Sequence, residues 1–194
     1  MSAVQSPLFE PVLWQGPGFK ILDEKQVPEK ISYIDVSEVE QALDAVREMK
    51  TRAFGQVLTF LYAGALIAGR YSGRETAPLR EQLRQMTQQF CEARPTFDFR
   101  GLGSYFDEWI DKLPDHEAAG GTISKQAREF GQQIVCGRRA RARRAAVMLP
   151  NPARVLTHCN VSGELVAVAA HCKEMGKELS VLATETSPTY RAPA

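Results

Sequence analysis

Residues 154–183 decide the fold, and they read RVLTHCNVSGELVAVAAHCKEMGKELSVLA. The short apolar run at 154–159 predicts a strand, and the run at 179–183 predicts a second one. Between them, residues 164–175 carry apolar side chains at helical spacing and stop before Gly176, a residue typical of helix ends. A strand, a helix and a strand within about thirty residues predict a βαβ unit with parallel strands. The sequence therefore indicates the start of an α/β sheet.

The chain before this unit is predicted to be mainly helical, after a small antiparallel β element. Short apolar runs at 12–14, 19–22 and 31–36 predict the β element. A first helix is expected to begin at Ser37, where Ser37 and Glu40 fit a capping box. Further helices are expected at about 53–69, 77–93, 105–113 and 123–149.

The run Pro150-Asn151-Pro152 marks a domain boundary. We therefore expect a mainly helical domain with a short β element over residues 1–149. A parallel-sheet domain is expected to begin at residue 150 and to run to residue 194. Two strands bury little and leave open edges, so this second domain is expected to be incomplete, as in a truncated chain.

Composition narrows the class of protein. The 194 residues are 44% hydrophobic and 24% charged, with a net charge of +1, so bulk charge indicates no acidic partner. The apolar stretch 53–69 is shorter than the ~20 residues that a bilayer needs. We read it as a buried helix and expect no membrane partner. The N-terminus resembles no secretory signal, which favours a cytoplasmic protein.

The four cysteines lack C-x-x-C spacing, so we expect reduced thiols and no metal site. The motif Thr157-His158-Cys159-Asn160, followed by Ser162-Gly163, carries the sharpest chemical signal. It lies at the carboxyl end of the first predicted parallel strand, where open α/β sheets bind ligands. The helix that follows would favour anions and lower the pKa of a thiol. Cys159 is therefore a candidate reactive residue, although spacing alone favours a small buried Cys159 beside a turn-forming Asn160.

Three groups of arginines are further candidates. Arg52 separates an amphipathic helix from an apolar one, so it either binds an anion or projects into solvent. Arg94 ends a helix, where a cation also complements the helix dipole. Five arginines fall within residues 138–144. Because acidic residues balance the basic ones and no aromatic residue interrupts the run, a solvated or partner-docking face is favoured over nucleic-acid binding.

Five segments match, in order, the signature motifs of a known family. The motif at residues 157–163 is similar to T-H-C-N-[ST]-G, with Val161 inserted. The other matches are Lys20–Glu24 with Val27–Glu29 for K-x-L-D-Q-x-x-L-P, residues 49–64 for the region around a V-R-G-A-P phosphate loop, Arg94–Thr96 for R-P-T, and Thr184–Pro188 for E-T-R-P. Five matches in order resemble the methylthioribose-1-phosphate isomerase family, to which the α, β and δ subunits of translation initiation factor 2B are related.

The resemblance implies a helical N-terminal domain and a Rossmann-like C-terminal domain, usually in a homodimer. It also implies isomerisation of an aldose 1-phosphate, such as 5-methylthioribose 1-phosphate in methionine salvage, to the ketose without a cofactor. Arg52, the backbone of Ala53 and Phe54, and Arg94 would then hold the substrate phosphate. Cys159 would act at the sugar carbons, supported by Thr157, His158, Asn160, Ser162 and Gly163.

The chain departs from the family pattern in ways that open an alternative. Phe54 stands where the phosphate loop has a small residue, and Ser187 replaces the arginine of E-T-R-P. The sequence also ends before the family's catalytic aspartate. We therefore expect little turnover from this chain alone, and either a homodimer or a complementing C-terminal chain as partner. The alternative is a non-catalytic initiation factor 2B-like subunit that binds a sugar phosphate or nucleotide, or that serves in regulation.

Overall fold

The structure is a computed structural model that describes residues 6–114, 118–158 and 163–184. A short 3-10 helix, Pro7–Phe9, comes first. The strands are β1 (Val12–Gln15), β2 (Gly18–Leu22), β3 (Tyr33–Val36), β4 (Ala153–His158) and β5 (Leu179–Thr184). The helices are α1 (Val39–Arg47), α2 (Ala53–Arg70), α3 (Thr76–Ala93), α4 (Phe99–Asp111), α5 (Ala119–Met148) and α6 (Glu164–Glu174).

The described residues fall into two compact units. The larger unit contains residues 10–134, and the smaller one contains residues 6–9 with the described part of the chain from 135 onward. The division falls within α5. The domain boundary at residue 150 stays a prediction from sequence, and each unit is described by itself below.

The larger unit begins with the predicted antiparallel β element. Its strands lie in the order β1-β2-β3, and Ile21 of β2 pairs with Val12 on one side and with Ile34 on the other. Phe19, Ile21 and Leu22 are buried because β2 is the central strand and faces the helices. Strands β1 and β2 pack against α2.

Helix α2 is the core of the larger unit. It is long and apolar enough to cross a membrane, yet 67% of it is buried inside the structure, as in the core helix of a folded domain. The ring of Phe60 lies 5.3 Å from those of Phe90 and Phe99 and 5.8 Å from that of Phe106. Helices α3 and α4 are therefore fixed against α2 by one aromatic cluster.

Three helix boundaries differ from the sequence prediction. Helix α1 begins at Val39 instead of Ser37, because Gln41, and not Glu40, accepts hydrogen bonds from the amides of Ser37 (2.8 Å) and Glu38 (2.9 Å). Helix α4 begins six residues early, at Phe99, since Asp98 caps it by accepting from the amide of Gly101 at 2.9 Å. Helix α5 begins four residues early, at Ala119, and runs unbroken through Gly131 and Gly137.

The smaller unit contains the predicted βαβ unit, which the structure confirms. Strands β4 and β5 are parallel, with Val155 opposite Val181, and α6 connects them. Gly176, at φ +67°, ends α6 as predicted. The ammonium of Lys177 then donates to three carbonyl oxygens at the end of α5, those of Ala146, Val147 and Leu149, at 2.7–2.9 Å. The small core of Ala142, Ala146, Val168 and Cys172 lies beside these bonds.

Candidate functional site

The loop from α1 to α2 carries the predicted phosphate-binding arginine, Arg52. Helix α1 ends in a Schellman motif, in which the amide of Lys50 bonds Ala45 O (2.9 Å) and that of Met49 bonds Val46 O (3.0 Å). Met49 therefore takes the left-handed position, at φ 55°, which glycine usually fills. A non-glycine residue there costs about 1 kcal/mol or more of backbone strain.

Arg94 reaches this loop from the C-terminal end of α3. Its Nη1 donates to the sulfur of Met49, and its Nε is buried with no hydrogen-bond partner among the residues the structure describes. Among the residues that the structure describes, no carboxylate pairs with this half-buried guanidinium. A thioether is a weak acceptor, so the described residues leave the charge of Arg94 largely uncompensated.

Gln56 supports the loop from the first turn of α2. Its side chain is 1% exposed, and its Nε2 donates to Thr51 O at 2.9 Å and to the Met49 sulfur at 3.6 Å. The sulfur of Met49 thus accepts from both Gln56 and Arg94. These contacts hold Arg94 at the loop that leads, three residues later, into Arg52.

Arg52 itself is the N-cap of α2, and its side chain is exposed. Its amide does not face an empty anion site, because it donates to Oε1 of Glu24 at 3.0 Å. The buried hydroxyl of Thr51 donates to the same oxygen at 3.3 Å. Burial raises the pKa of the Glu24 carboxyl above its usual range, while these two hydrogen bonds and the charge of Arg52 act in the opposite direction.

The rest of the predicted phosphate loop is the first turn of α2. Ala53 is exposed there, and the ring of Phe54 is half-buried. Gly55 is required, because a Cβ at this position would lie 1.9 Å from Thr51 Oγ1. Arg52, Ala53 and Phe54 thus lie at the start of α2, and Arg94 contacts Met49, three residues before Arg52. Their roles in holding a phosphate stay predictions.

The second predicted cluster lies at the carboxyl end of β4. Nδ1 of His158 is 2.7 Å from Oγ1 of Thr184, its pairing partner on β5, and Thr157 is half-buried. Gly163 caps α6 at φ +78°, and a Cβ there would lie 2.9 Å from Ser6 Oγ. Cys159, Asn160 and Ser162 lie outside the described residues, so their predicted roles stay predictions.

The arginine run departs from the expected solvated face at one position. Arg138 is 3% exposed and pairs with Glu164, in the first turn of α6, at 3.3 Å, and its guanidinium lies 4.8 Å from the ring centre of Phe9. Burial lowers the pKa of the Arg138 guanidinium, and Glu164 raises it. Arg141 also reaches Glu164, at 3.2 Å, from the exposed face. This part of the run therefore stabilises the smaller unit from within.

These features define a class of protein: a helical region with a small antiparallel sheet, followed by a parallel βαβ unit. The chain belongs to the initiation factor 2 subunit family, whose family model matches residues 56–192. The family resemblance drawn from the sequence motifs is thereby confirmed.

Two curated relatives each match nearly the whole of this chain with about half of their own length. The methylthioribose-1-phosphate isomerase of Geobacillus kaustophilus is 30% identical over 191 residues, which cover 93% of this chain and 53% of that protein. The enzyme of the same name from Desulforudis audaxviator is 25% identical, over 92% of this chain and 54% of its own length. The chain thus spans about half the length of the curated relatives it matches.

Solved structures show the same fold. The 5-methylthioribose 1-phosphate isomerase of Pyrococcus horikoshii aligns with a TM-score of 0.70 at 13% identity, over 94% of this chain and 64% of its own. The delta subunit of translation initiation factor eIF-2B from A. fulgidus aligns with a TM-score of 0.67 at 23% identity, over 92% and 55%. At these identities the likeness establishes the fold alone.

Sequence reasoning missed the roles of Met49, Gln56 and Glu24. No local pattern marks a methionine that takes the glycine position of a helix end. The burial of Arg138 could have been predicted from helical spacing. It lies four and eight residues before Ala142 and Ala146, which are buried on the same face of α5.

Proposed function

We propose that this chain supplies the phosphate-binding part of an aldose–ketose isomerase acting on a sugar 1-phosphate, with 5-methylthioribose 1-phosphate as the first candidate. Membership of the family supports this proposal, as do relatives that carry the name methylthioribose-1-phosphate isomerase. We place the activity in the cytoplasm, in a homodimer or with a chain that carries the C-terminal half.

The uncompensated charge of Arg94 carries the proposal. A half-buried guanidinium with a buried Nε that lacks an acceptor is destabilised by about 1–3 kcal/mol relative to a paired one. A phosphate group supplies both the negative charge and the planar pair of acceptor oxygens that a guanidinium prefers. Arg52, at the start of α2, would add a second cation to the same anion.

The reaction requires the protein to place the substrate and to support the movement of protons. The C1–O4 bond breaks and O4 takes up a proton, the hydrogen on C2 passes to C1, and the C2 hydroxyl loses its proton to become the carbonyl, so the ketose has the composition of the aldose. Arginines that hold the phosphate fix C1 and C2 in place. Cys159 would take part in the proton transfer or stabilise the charge that develops, as the family resemblance implies.

The test uses the native gene product, isolated from its own cells through an N-terminal tag. We expect this preparation, with the C-terminal half or partner chain that accompanies it, to isomerise a pentose 1-phosphate, whereas the 194-residue chain alone should show little turnover. Cys159→Ser should lower kcat by a hundredfold or more, in line with the loss of a proton-transfer group, and Cys136→Ser, at an exposed thiol of α5, should leave it unchanged. If no member of a panel of pentose 1-phosphates is converted, the isomerase proposal is wrong.

One observation favours a second candidate function, a non-catalytic subunit that binds a sugar phosphate or nucleotide. The carboxylate of Glu24 already accepts from the amide of Arg52, where the family resemblance implies a phosphate. Under this alternative the wild-type protein converts no sugar phosphate. Ligand binding and assembly then persist unchanged in Cys159→Ser.

A further inference from the structure

We propose that Glu24 is a built-in anion that competes with the ligand's phosphate for the first turn of α2 and so sets the affinity of the site. This inference rests on the proposed function, because it concerns the regulation of the same phosphate site. It assigns to Glu24 an inhibitory role that ordinary packing does not require.

The position of the Glu24 carboxylate is fixed from three sides. Its Oε1 accepts from the amide of Arg52 at 3.0 Å and from Thr51 Oγ1 at 3.3 Å. The amide of Glu24 donates to Lys50 O at 2.8 Å, which ties its backbone to the same loop. A Cβ on Gly55 would lie 3.3 Å from Oε1, so the oxygen lies against the first turn of the helix.

The N-terminus of a helix favours negative charge, and the Glu24 carboxylate supplies that charge by accepting from the amide of Arg52. The neighbouring charges are engaged elsewhere. Lys50 pairs with Glu48 at 2.9 Å, Lys25 donates to Glu48 O at 3.4 Å, and Asp23 accepts from Gln26 at 2.6 Å. Arg52 is the cation that acts directly on Glu24, and burial of the carboxyl opposes its ionisation.

A phosphate that approaches Arg52 and Ala53 therefore meets a carboxylate already in place. Either the carboxylate moves away, or it takes up a proton as the ligand binds. Two like charges about 4 Å apart repel each other in water, and they repel more strongly in a partly buried site. Removing the charge of Glu24 should accordingly tighten anion binding by about tenfold.

The experiment measures sulfate binding to the full chain by isothermal titration calorimetry. Sulfate is the probe because neither it nor arginine changes charge between about pH 5 and pH 8. We expect Glu24→Gln, which keeps the acceptor oxygen, to bind about tenfold tighter than wild type at neutral pH. Glu29→Gln, an exposed carboxylate of the same loop, is the charge-matched control and should bind as wild type does.

The wild-type protein provides a second readout that needs no variant. Its sulfate affinity should rise as the pH falls and Glu24 takes up a proton, whereas that of Glu24→Gln should be flat. Equal or weaker binding by a folded Glu24→Gln protein, or a flat wild-type profile, overturns this inference.

Arg94→Met separates this inference from the proposed function. If Arg94→Met loses the sulfate binding seen in wild type while Glu24→Gln has no effect, the phosphate site is supported and the proposed role of Glu24 is wrong. If Arg94→Met binds as wild type does, or if no variant binds sulfate, the phosphate site itself is wrong.

Discussion

The guanidinium of Arg94 donates to the thioether sulfur of Met49, two residues that are 45 positions apart in the chain. The partner of this cation is therefore an atom with almost no charge. A protein that used Arg94 for stability alone would gain more from a carboxylate at this place. The pair keeps the guanidinium at the loop before α2, where the phosphate we propose would supply the opposite charge.

Arg94 should consequently contribute nothing to stability. We expect Arg94→Leu to raise the free energy of unfolding by about 1 kcal/mol, because it removes a buried Nε that lacks an acceptor. Arg80→Leu is the matched control, because Arg80 pairs with Asp107 at 3.0 Å and also with Asp111. It should lower stability by about 1 kcal/mol. Urea unfolding measures both, and a larger loss for Arg94 than for Arg80 would show that Arg94 is structural.

The left-handed backbone of Met49 predicts an inverted order of two substitutions. Met49→Gly and Met49→Ala both remove the thioether, but only glycine adopts φ 55° without strain. We expect Met49→Gly to be more stable than Met49→Ala by about 1 kcal/mol. At the exposed Gln85, within α3, alanine should be the more stable by about 1 kcal/mol. Thermal unfolding of the four proteins gives the comparison, and the same order at both positions would contradict it.

The buried carboxyl of Glu24 predicts a stability difference that depends on pH. Its pKa is raised in the folded protein, so the unfolded chain ionises first as the pH rises. The contribution of Glu24 to stability is therefore fully present below its unfolded pKa and is lost as the pH rises through the folded value. Glu24→Gln should be more stable than wild type at neutral pH, and the gain should disappear in acid.

Chemical unfolding at a series of pH values tests this, with Glu29→Gln as the control. A gain that is constant with pH would assign the effect of Glu24→Gln to packing instead of ionisation.

The ion pair of Arg138 with Glu164 predicts that one arginine of the run matters far more than its neighbours. Arg138→Met removes the buried partner of Glu164, a carboxylate that is 17% exposed and keeps its second partner, the exposed Arg141, so we expect a loss of about 2 kcal/mol. Arg143→Met, at an exposed position of the same helix, should stay within about 0.5 kcal/mol of wild type. Denaturant unfolding followed by circular dichroism is the measurement, and equal effects would mean that the pair contributes nothing.

Local sequence patterns predicted most of the helices and strands, but not the contacts between distant parts of the chain. Helices α2 and α3 and strands β4 and β5 follow from hydrophobic periodicity, because that periodicity reports which face is buried. The contact of Glu24 with Arg52 spans 28 positions and depends on where the loop after β2 meets the start of α2. Periodicity carries no information on such a contact. The prediction of a solvated or partner-docking face for residues 138–144 is wrong at Arg138, which is buried against Glu164, because charge alone does not reveal an ion-pair partner in another element.

The three carbonyl oxygens that accept from the Lys177 ammonium link the end of α5 to the turn before β5. Fraying of the last turn of this 30-residue helix would break all three hydrogen bonds, so we expect the helix end and the turn to open as one cooperative unit. In hydrogen–deuterium exchange, the amides at the end of α5 and those of the turn should therefore share one protection factor.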